Sequence, residues 1–306
     1  VGLEGEIEEA IAEKRMSTST EKNSERKTLD SSNTSTEKVM GALMASKEKE
    51  LKKQVLGNYT PQKRAMDVID TCLFAVLFVI AFYNLVIHVR MSNLWISVIA
   101  FVLSMLFSDF CSGLLHWGAD TWGTFDTPLV GPTFIRSFRE HHVTPTAMCQ
   151  HDLFETNGDN CLATLPVLIL MSLKTISDET TGQVLNWPFF VINFWVWTCL
   201  FVALTNQFHS WSHMQKPPMI AVVLQKSGLI LSPLVHRMHH QMPFDRNYCI
   251  TNGWLEPFLV RIDFWKRAEE FITKYTGMIP REDDQKWTGL SDQQPDAILN
   301  LQQKTQ

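Results

Sequence analysis

The stretch MDVIDTCLFAVLFVIAFYNLVIHV, residues 66–89, is almost wholly apolar and decides the class of fold. As a helix it covers the roughly 30 Å of hydrocarbon in a bilayer. Residues 94–117 and 187–208 repeat this pattern. The shorter apolar run at 162–176 predicts a further span in a tilted or thinned arrangement. We therefore expect an all-α integral membrane protein with about four transmembrane helices.

The segments outside these spans differ strongly in composition. Glu, Lys, Ser and Thr dominate residues 1–57, which predicts a disordered tail because apolar residues are too few to offset the entropy of ordering it. Residues 58–287 form the expected membrane-embedded domain, and residues 288–306 a polar C-terminal tail. Within the domain, the apolar runs 219–233 and 255–275 also carry charged residues. These two runs predict helices that lie in the membrane interface.

Basic residues around the first span predict its orientation. Six lysines and arginines lie between residues 47 and 64, whereas the loop after the span has only Arg90. The positive-inside rule therefore places the start of the first span, and the N-terminal tail that precedes it, in the cytosol. Four alternating spans then bring the histidine-rich ends of the helices to the cytosolic side.

Ligand-type side chains occur in four groups near the ends of the spans. In chain order the groups are Asp109, His116 and Asp120; His141, His142 and His151; Asn206, His209 and His213; His236, His239 and His240. Spacings of three, four and seven place the first and third groups each on one helical face. A single histidine at a membrane interface is typically a polar anchor, as we expect for His88, whereas for His151 an anchor and a ligand are equal alternatives. Four groups together indicate metal binding, because ionisable groups near a bilayer are costly and neutral imidazole is a common metal ligand.

The number and type of these ligands favour two iron ions. The zinc protease motif HExxH is absent from the sequence, and a structural zinc site needs only four ligands. Eight or nine nitrogen and oxygen ligands are too many for one ion, and imidazole-rich sites suit iron that keeps positions open for oxygen. Inside a membrane, such a di-iron site with dioxygen as co-substrate is suited to removing hydrogen from an unactivated C–H bond of a lipid chain.

Six motifs resemble those of the Kua family of plasmalogen-forming lipid desaturases. They are SGLLHWGADTWG (112–123), FIRSFREHH (134–142), HDLFETNGDNC (151–161), TNQFHSWSH (205–213), HRMHH (236–240) and YCITNGW (248–254). The similarity extends from about Tyr59 to Trp287, and the order and spacing of the motifs make it specific.

The resemblance implies a multi-pass enzyme of the endoplasmic reticulum membrane. Its substrate would be a 1-O-alkyl ether phospholipid with an ethanolamine head group, desaturated beside the ether oxygen to the vinyl ether of a plasmalogen. Cytochrome b5 and its NAD(P)H-dependent reductase would supply the electrons. Membrane lipid would surround the protein. No nucleic-acid partner is expected. Electron donors in the cytosol agree with the orientation that the basic residues predict.

The resemblance also implies which residues bind iron. The implied ligands are His116, Asp120, His141, His142, His209, His213, His236, His239 and His240. The broader membrane desaturases use HxxxH and HxxHH boxes, and this chain departs from them at Asp120 and Phe138, which stand where histidines would be. It stays open whether Asp120 binds iron directly and whether His151 or Asn206 completes a coordination sphere. Candidates for orienting the ligands, since ligating histidines usually donate their other N–H group, are Asp109, Glu140, His151, Asp152, Asp159 and Asn206.

Three alternatives stay open at this point. An acyl-lipid desaturase or a hydroxylase would use the same di-iron chemistry. The plastid acyl-lipid desaturases are disfavoured, because residues 1–57 are too acidic for a transit peptide. A non-catalytic protein that binds haem or a metal is the third alternative. A haem carrier would place facing histidine pairs at mid-membrane, whereas the histidines here cluster at span ends and in loops.

Overall fold

The computed structural model describes residues 59–173, 187–241 and 243–282. The predicted tails 1–57 and 288–306 lie outside the described residues. Every regular element within the described ranges is helical, which confirms the all-α class. Four long helices are α1 (Pro61–Val86), α2 (Leu94–Thr121), α4 (Leu153–Leu173) and α5 (Phe189–His213). Five short α-helices are α3 (Arg136–Val143), α6 (Met219–Lys226), α7 (Pro233–His239), α8 (Glu256–Arg261) and α9 (Phe264–Thr276), and α3 lies between a π-helix (Gly131–Ile135) and a 3-10 helix (Pro145–Gln150).

Three of the described helices are long and apolar enough to cross a membrane. They are α1, α2 and α5, with 26, 28 and 25 residues and mean hydropathies of 2.2, 2.0 and 1.7. Helix α1 begins earlier than the apolar run, because Thr60 caps it by accepting a hydrogen bond from the backbone N–H of Lys63 at 3.1 Å. Its apolar side chains are largely exposed, among them Val76 and Val79, as expected for a surface that faces lipid.

Helix α4 begins at Leu153, well before the apolar run predicted at 162–176. Its polar first turns find partners inside the bundle. Asn157 donates a side-chain hydrogen bond to Gln207 at 3.1 Å, and Asn160 donates one to the backbone carbonyl of Val202 at 2.9 Å. The 21 residues of α4 extend about 31 Å, and the helix packs between α1 and α5.

Polar contacts gather four helix ends at one end of the bundle. Lys63 on α1 forms hydrogen bonds with Asp67 and with Asp159 of α4. A Cβ on Gly158 would collide with the carboxylate of Asp67, so the absence of a side chain permits this close packing of α1 on α4. Since α4 runs antiparallel to α5, the N-termini of α1 and α4 lie at the same end as the C-termini of α2 and α5.

The C-terminal apolar run, predicted to be one interfacial helix, forms two. The backbone of Asp263 adopts φ 52°, and this left-handed residue separates α8 from α9. Helix α9 exposes Phe271 and Tyr275 while it buries Trp265 against Tyr248. One face of α9 therefore belongs to the core beside the site, and the other is available to the membrane interface.

Candidate metal centre

A single stripe along α2 carries both ligands and anchors. Asp109, Ser112, His116 and Asp120 follow one another at spacings of three, four and four residues and are all buried. Asp109 and Ser112 contact the loop 248–255. Asp109 accepts hydrogen bonds from the backbone N–H groups of residues 252, 253 and 255, and Ser112 accepts one from that of residue 250. His116 and Asp120, which are nearer the C-terminus of α2, point to the histidines of other helices.

All nine ligands implied by the resemblance lie together, in two clusters. The five-histidine cluster consists of His141, His209, His213, His236 and His240. The aspartate cluster consists of His116, Asp120, His142 and His239. Within each cluster, one potential ligand atom from every residue lies within 4.8 Å of all the others.

The five-histidine cluster is a set of imidazole Nε2 atoms that face one another. Six contacts join these atoms: His141–His209 3.1 Å, His141–His213 3.0 Å, His209–His213 3.3 Å, His209–His236 2.7 Å, His213–His236 2.8 Å and His236–His240 3.0 Å. A neutral ring nitrogen either donates one hydrogen or offers one lone pair, so five nitrogens form at most about two N–H···N bonds. The remaining contacts would be repulsive without a cation between them.

These nitrogen spacings fit a bound metal ion. Two imidazole nitrogens that each lie about 2.1 Å from one ion, at right angles, are about 3.0 Å apart. The observed contacts of 2.7 to 3.3 Å are centred on that spacing. The donor set fits a transition metal such as iron that accepts imidazole ligands.

The aspartate cluster converges on one carboxylate oxygen. Oδ2 of Asp120 lies 3.2 Å from His116 Nε2, 3.0 Å from His142 Nε2 and 3.4 Å from His239 Nε2. The Nε2 atoms of His116 and His239 are buried and have no hydrogen-bond partner within the described residues. A cation between these nitrogens and the carboxylate would satisfy them, so this donor set also fits a metal ion.

Backbone carbonyls orient two of the imidazoles. His116 Nδ1 donates a hydrogen bond to the carbonyl of Tyr248 at 3.1 Å, and His239 Nδ1 donates one to the carbonyl of Arg246 at 2.8 Å. These bonds place the proton on Nδ1 and the lone pair on Nε2, which faces the cluster. The structure thereby prepares both rings for metal binding.

The two histidine doublets divide between the clusters. His141 belongs to the five-histidine cluster, and its neighbour His142 to the aspartate cluster. Likewise His240 and His239 face different clusters, although they are adjacent in sequence. Rings of the two clusters touch, with centroids 5.0 Å apart for His142 and His240. The two clusters are therefore immediate neighbours, and ions held in both would be close enough to act on one substrate.

The histidines on and next to the short helices α3 and α7 are held in the neutral form. Burial, together with the neighbouring imidazoles, holds the pKa of His141, His236 and His240 well below the ordinary value. Burial, followed by the charge of His116, lowers the pKa of His239 to about 3. Neutral rings keep their lone pairs available, which metal binding requires.

Five of the residues proposed to orient the ligands make other contacts. Arg136 donates to Glu140 at 2.7 Å, and His151 Nδ1 lies 2.7 Å from Glu155. The remaining contacts are Asp152 with Arg64 at 2.6 Å, Asp159 with Lys63 at 2.7 Å, and Asn206 donating to Asn160 at 3.3 Å. The structure thus places these residues in salt bridges and hydrogen bonds that lie within α3, lie at the start of α4, or join α4 to α1 and α5. The sixth candidate, Asp109, holds the loop whose residue Tyr248 supplies a carbonyl to His116.

From the sequence, Arg139 was one of four basic residues available for a lipid phosphate, and Glu256 was not singled out; the structure buries both beside the clusters. Arg139 is fully buried and donates to the backbone carbonyls of Ala119 at 3.2 Å and Gly123 at 3.0 Å, which fixes α3 against the end of α2. Glu256 is 1% exposed and lies under the loop 248–255. A charged residue inside a histidine motif, as in FREHH, was the available signal for Arg139. For Glu256 no signal was available, because its partners are distant in sequence.

Phe138 stands where a broader desaturase box has a histidine, and its ring packs against a ligand. Its centroid lies 5.2 Å from that of His116 and 4.9 Å from that of Phe134. Both clusters are complete without a histidine at this position. The aromatic ring instead covers the aspartate cluster.

Comparisons with known proteins show the family of this chain. The family model of the lipid desaturase domain matches residues 105–283. The chain is 44% identical over 238 residues to plasmanylethanolamine desaturase 1 of Mus musculus, covering 75% of this chain and 84% of that protein. It is 41% identical over 232 residues to plasmanylethanolamine desaturase of Myxococcus xanthus, covering 76% and 80%. No solved structure matches the chain. The chain belongs to the lipid desaturase family and is therefore an oxidoreductase.

Proposed function

We propose that this chain is a plasmanylethanolamine desaturase, which introduces the vinyl ether double bond of a plasmalogen into a 1-O-alkyl ether phospholipid. Two relatives with that name cover most of the chain, and it covers 84% and 80% of their lengths. In the proposed reaction one dioxygen molecule takes two electrons from a donor and two from the C–C unit. Two hydrogens leave the substrate, two protons enter from the medium, and two water molecules form.

The depth of the ligands carries this proposal. His116 lies five residues before the last residue of α2, and His209 four before that of α5. At 1.5 Å per residue, these ligands are about 6 to 8 Å from the helix ends. The first two alkyl carbons of an ether lipid adjoin the glycerol backbone, so they also lie near the edge of the hydrocarbon layer. A site at this depth therefore reaches the ether carbons more readily than the middle of a chain.

The residues of this chain provide the setting for the reaction. The nine ligands of the two clusters would hold two iron ions, which when bound supply the oxidising power for removing hydrogen. The bonds from His116 and His239 to backbone carbonyls keep those rings in the tautomer that binds metal. The rings of Phe244 and Tyr248 are 5% and 0% exposed and pack on His142 and His239, where they exclude water.

The membrane arrangement is part of the same proposal. We place α1, α2, α4 and α5 as four spans of the endoplasmic reticulum membrane. The N-terminus then lies in the cytosol, and the metal centre lies on the cytosolic side of the membrane. The basic residues before α1 support this orientation, and the gathering of both clusters at one end of the bundle agrees with it. Cytochrome b5 and its reductase would then deliver electrons from the cytosol.

Lipid mass spectrometry tests the proposal directly. Plasmalogen-deficient cells that express this chain should accumulate acid-labile vinyl ether phospholipids, while their acyl double bonds stay unchanged. The matched control is H239A, which should be expressed at the same level and form no vinyl ether. Absence of vinyl ethers with the wild-type chain would refute the proposed substrate.

Acyl-lipid desaturation is the second candidate. The chain is 29% identical over 213 residues to a protein of Arabidopsis thaliana named fatty acid desaturase 4-like 2, chloroplastic, covering 68% of this chain and 70% of that protein. New acyl double bonds without vinyl ethers in the same experiment would favour this candidate. Because this identity is lower than the 44% and 41% to the two plasmanylethanolamine desaturases, we favour plasmanylethanolamine as the substrate.

A further inference from the structure

Glu256 is a buried carboxylate at the start of α8, and its two oxygens accept different hydrogen bonds. Oε1 accepts from the indole N–H of Trp265 at 2.9 Å, and Oε2 accepts from the backbone N–H of Cys249 at 3.2 Å. The side chain is 1% exposed, so water does not screen its interactions. A negative charge here acts on the groups to which it is bonded.

The Cys249 N–H belongs to the same peptide group as the carbonyl of Tyr248. That carbonyl accepts the hydrogen bond from His116 Nδ1 at 3.1 Å. One peptide unit therefore connects a carboxylate on its N–H side to a proposed metal ligand on its C=O side. The sequence of contacts runs from Glu256 through the Tyr248–Cys249 peptide to His116.

We propose that Glu256 is a positioning residue for the aspartate cluster and acts on His116 through this peptide. Metal-binding histidines commonly donate to a carboxylate, which fixes the ring and strengthens it as a ligand. Here the peptide lies between the two, and a carboxylate on its N–H group increases the negative charge on its carbonyl oxygen, because hydrogen bonds in a chain polarise one another. His116 then binds its metal ion more tightly. The inference rests on the metal centre of the proposed function.

The loop 248–255 is held at several other points, so Glu256 is not its sole support. Asp109 accepts from the backbone N–H groups of residues 252 and 253, each at 2.9 Å. Thr251 contacts Thr205 through the side-chain oxygens at 2.8 Å, and its carbonyl accepts from the N–H of Leu231 at 3.0 Å. Asp109 therefore offers a control that loosens the same loop away from the Tyr248–Cys249 peptide.

A charge-only comparison is possible in the W265F background. Without the indole, Glu256 Oε1 loses the Trp265 N–H as a donor, and the amide oxygen of E256Q can still accept the bond from the Cys249 N–H. The pair W265F and W265F/E256Q thus differs mainly in the charge at the end of the peptide. This design avoids placing an amide NH2 group against a second donor.

The experiment titrates purified metal-free protein with Co²⁺ and follows its visible absorption in competition with a chelator. We expect wild type and W265F to bind two equivalents. W265F/E256Q should bind one equivalent about 10-fold more weakly, with a shifted absorption band, and the other equivalent unchanged. D109N should lower thermal stability without this selective loss. If W265F/E256Q does not fold, E256D in the wild-type chain tests the contact instead of the charge: it keeps the carboxylate but shortens its reach to the Cys249 N–H, and weakening of one equivalent is again expected.

Two results would overturn the inference while leaving the proposed function intact. Two equivalents bound with equal affinity by W265F and W265F/E256Q would show that the charge has no effect on His116. An identical selective loss in D109N would show that Glu256 only supports the loop. Failure of the wild-type protein to bind two equivalents would instead refute the metal centre itself.

Discussion

The two clusters differ in charge and in enclosure, although they adjoin each other. The aspartate cluster has a carboxylate, all four of its members are buried, and backbone carbonyls orient two of its rings. The five-histidine cluster contains only imidazoles, and His141 and His213 are half-buried. A carboxylate favours a more highly charged ion, whereas neutral imidazoles favour a lower charge. The difference teaches that the two proposed metal ions are held in unequal environments.

Removing one ligand from each cluster gives the largest expected effect. H236A opens the five-histidine cluster and H239A the aspartate cluster, and both residues lie on α7. We expect each variant to lose activity roughly 100-fold or more and to retain about one metal equivalent, because each cluster loses a ligand of its own. Vinyl ether formation and metal content per protein are the measurements. Loss of both metals in both variants would show that the clusters bind metal only as one unit.

Neutralising the carboxylate separates charge from shape. D120N keeps the size of the side chain but removes the charge that faces three Nε2 atoms. We expect metal binding at the aspartate cluster to weaken about 10- to 100-fold, with the five-histidine cluster retained. Competitive metal titration measures both affinities. Equal weakening at both clusters would contradict the assignment of Asp120 to the aspartate cluster alone.

A pair of glycines on α2 tests the packing of the loop on the aspartate cluster. A Cβ at Gly113 would lie 2.7 Å from Cys249 Sγ and 3.2 Å from Trp265, whereas one at Gly118 meets nothing within 4 Å. G113A should destabilise the protein by about 1–3 kcal/mol through overpacking and lower activity. G118A is the matched control and should be neutral or stabilising by up to about 1 kcal/mol, because alanine favours a helix. Thermal unfolding compares the two, and equal midpoints would refute the close contact.

Acid should affect the metal-free protein through the histidines with lowered pKa. The folded pKa is about 3 for His239 and is well below the ordinary value for His236 and His240, whereas histidines of the unfolded chain titrate near 6.5. Below about pH 6.5 the unfolded chain therefore binds protons that the folded chain does not, and stability falls as the pH is lowered towards 3. Thermal unfolding between pH 7.5 and 5 measures this. In H240Q the decline should be shallower, and an unchanged decline would exclude His240 as a contributor.

The sequence predicted the helical class and three long apolar helices, because hydropathy over some twenty residues is a local signal. It placed the start of α4 too late. The polar residues Asn157 and Asn160 look unsuited to an apolar helix, but they bond to Gln207 and Val202 of α5. Such pairing depends on which helices become neighbours, and no local pattern contains that information.

Site prediction had the same limit. The spacing of His116 and Asp120 predicted one helical face, and the structure brings both into the aspartate cluster. Residue spacing did not reveal that adjacent histidines such as His141 and His142 serve different clusters, since this depends on how α3 docks. Nor did it reveal that Asp109 binds the N–H groups of a loop about 140 residues away.

Helices α3 and α7 each supply both clusters, α3 through His141 and His142 and α7 through His236 and His239. Residues one apart on a helix point about 100° apart and residues three apart about 60° apart, so each short helix can serve both clusters. A rotation of either helix about its axis would move a ligand of one metal towards its ion and a ligand of the other away. The coordination of two ions bound in these clusters would thereby be mechanically linked, and a change in one, on binding a ligand or an electron, would reach the other through the rotation of a single helix.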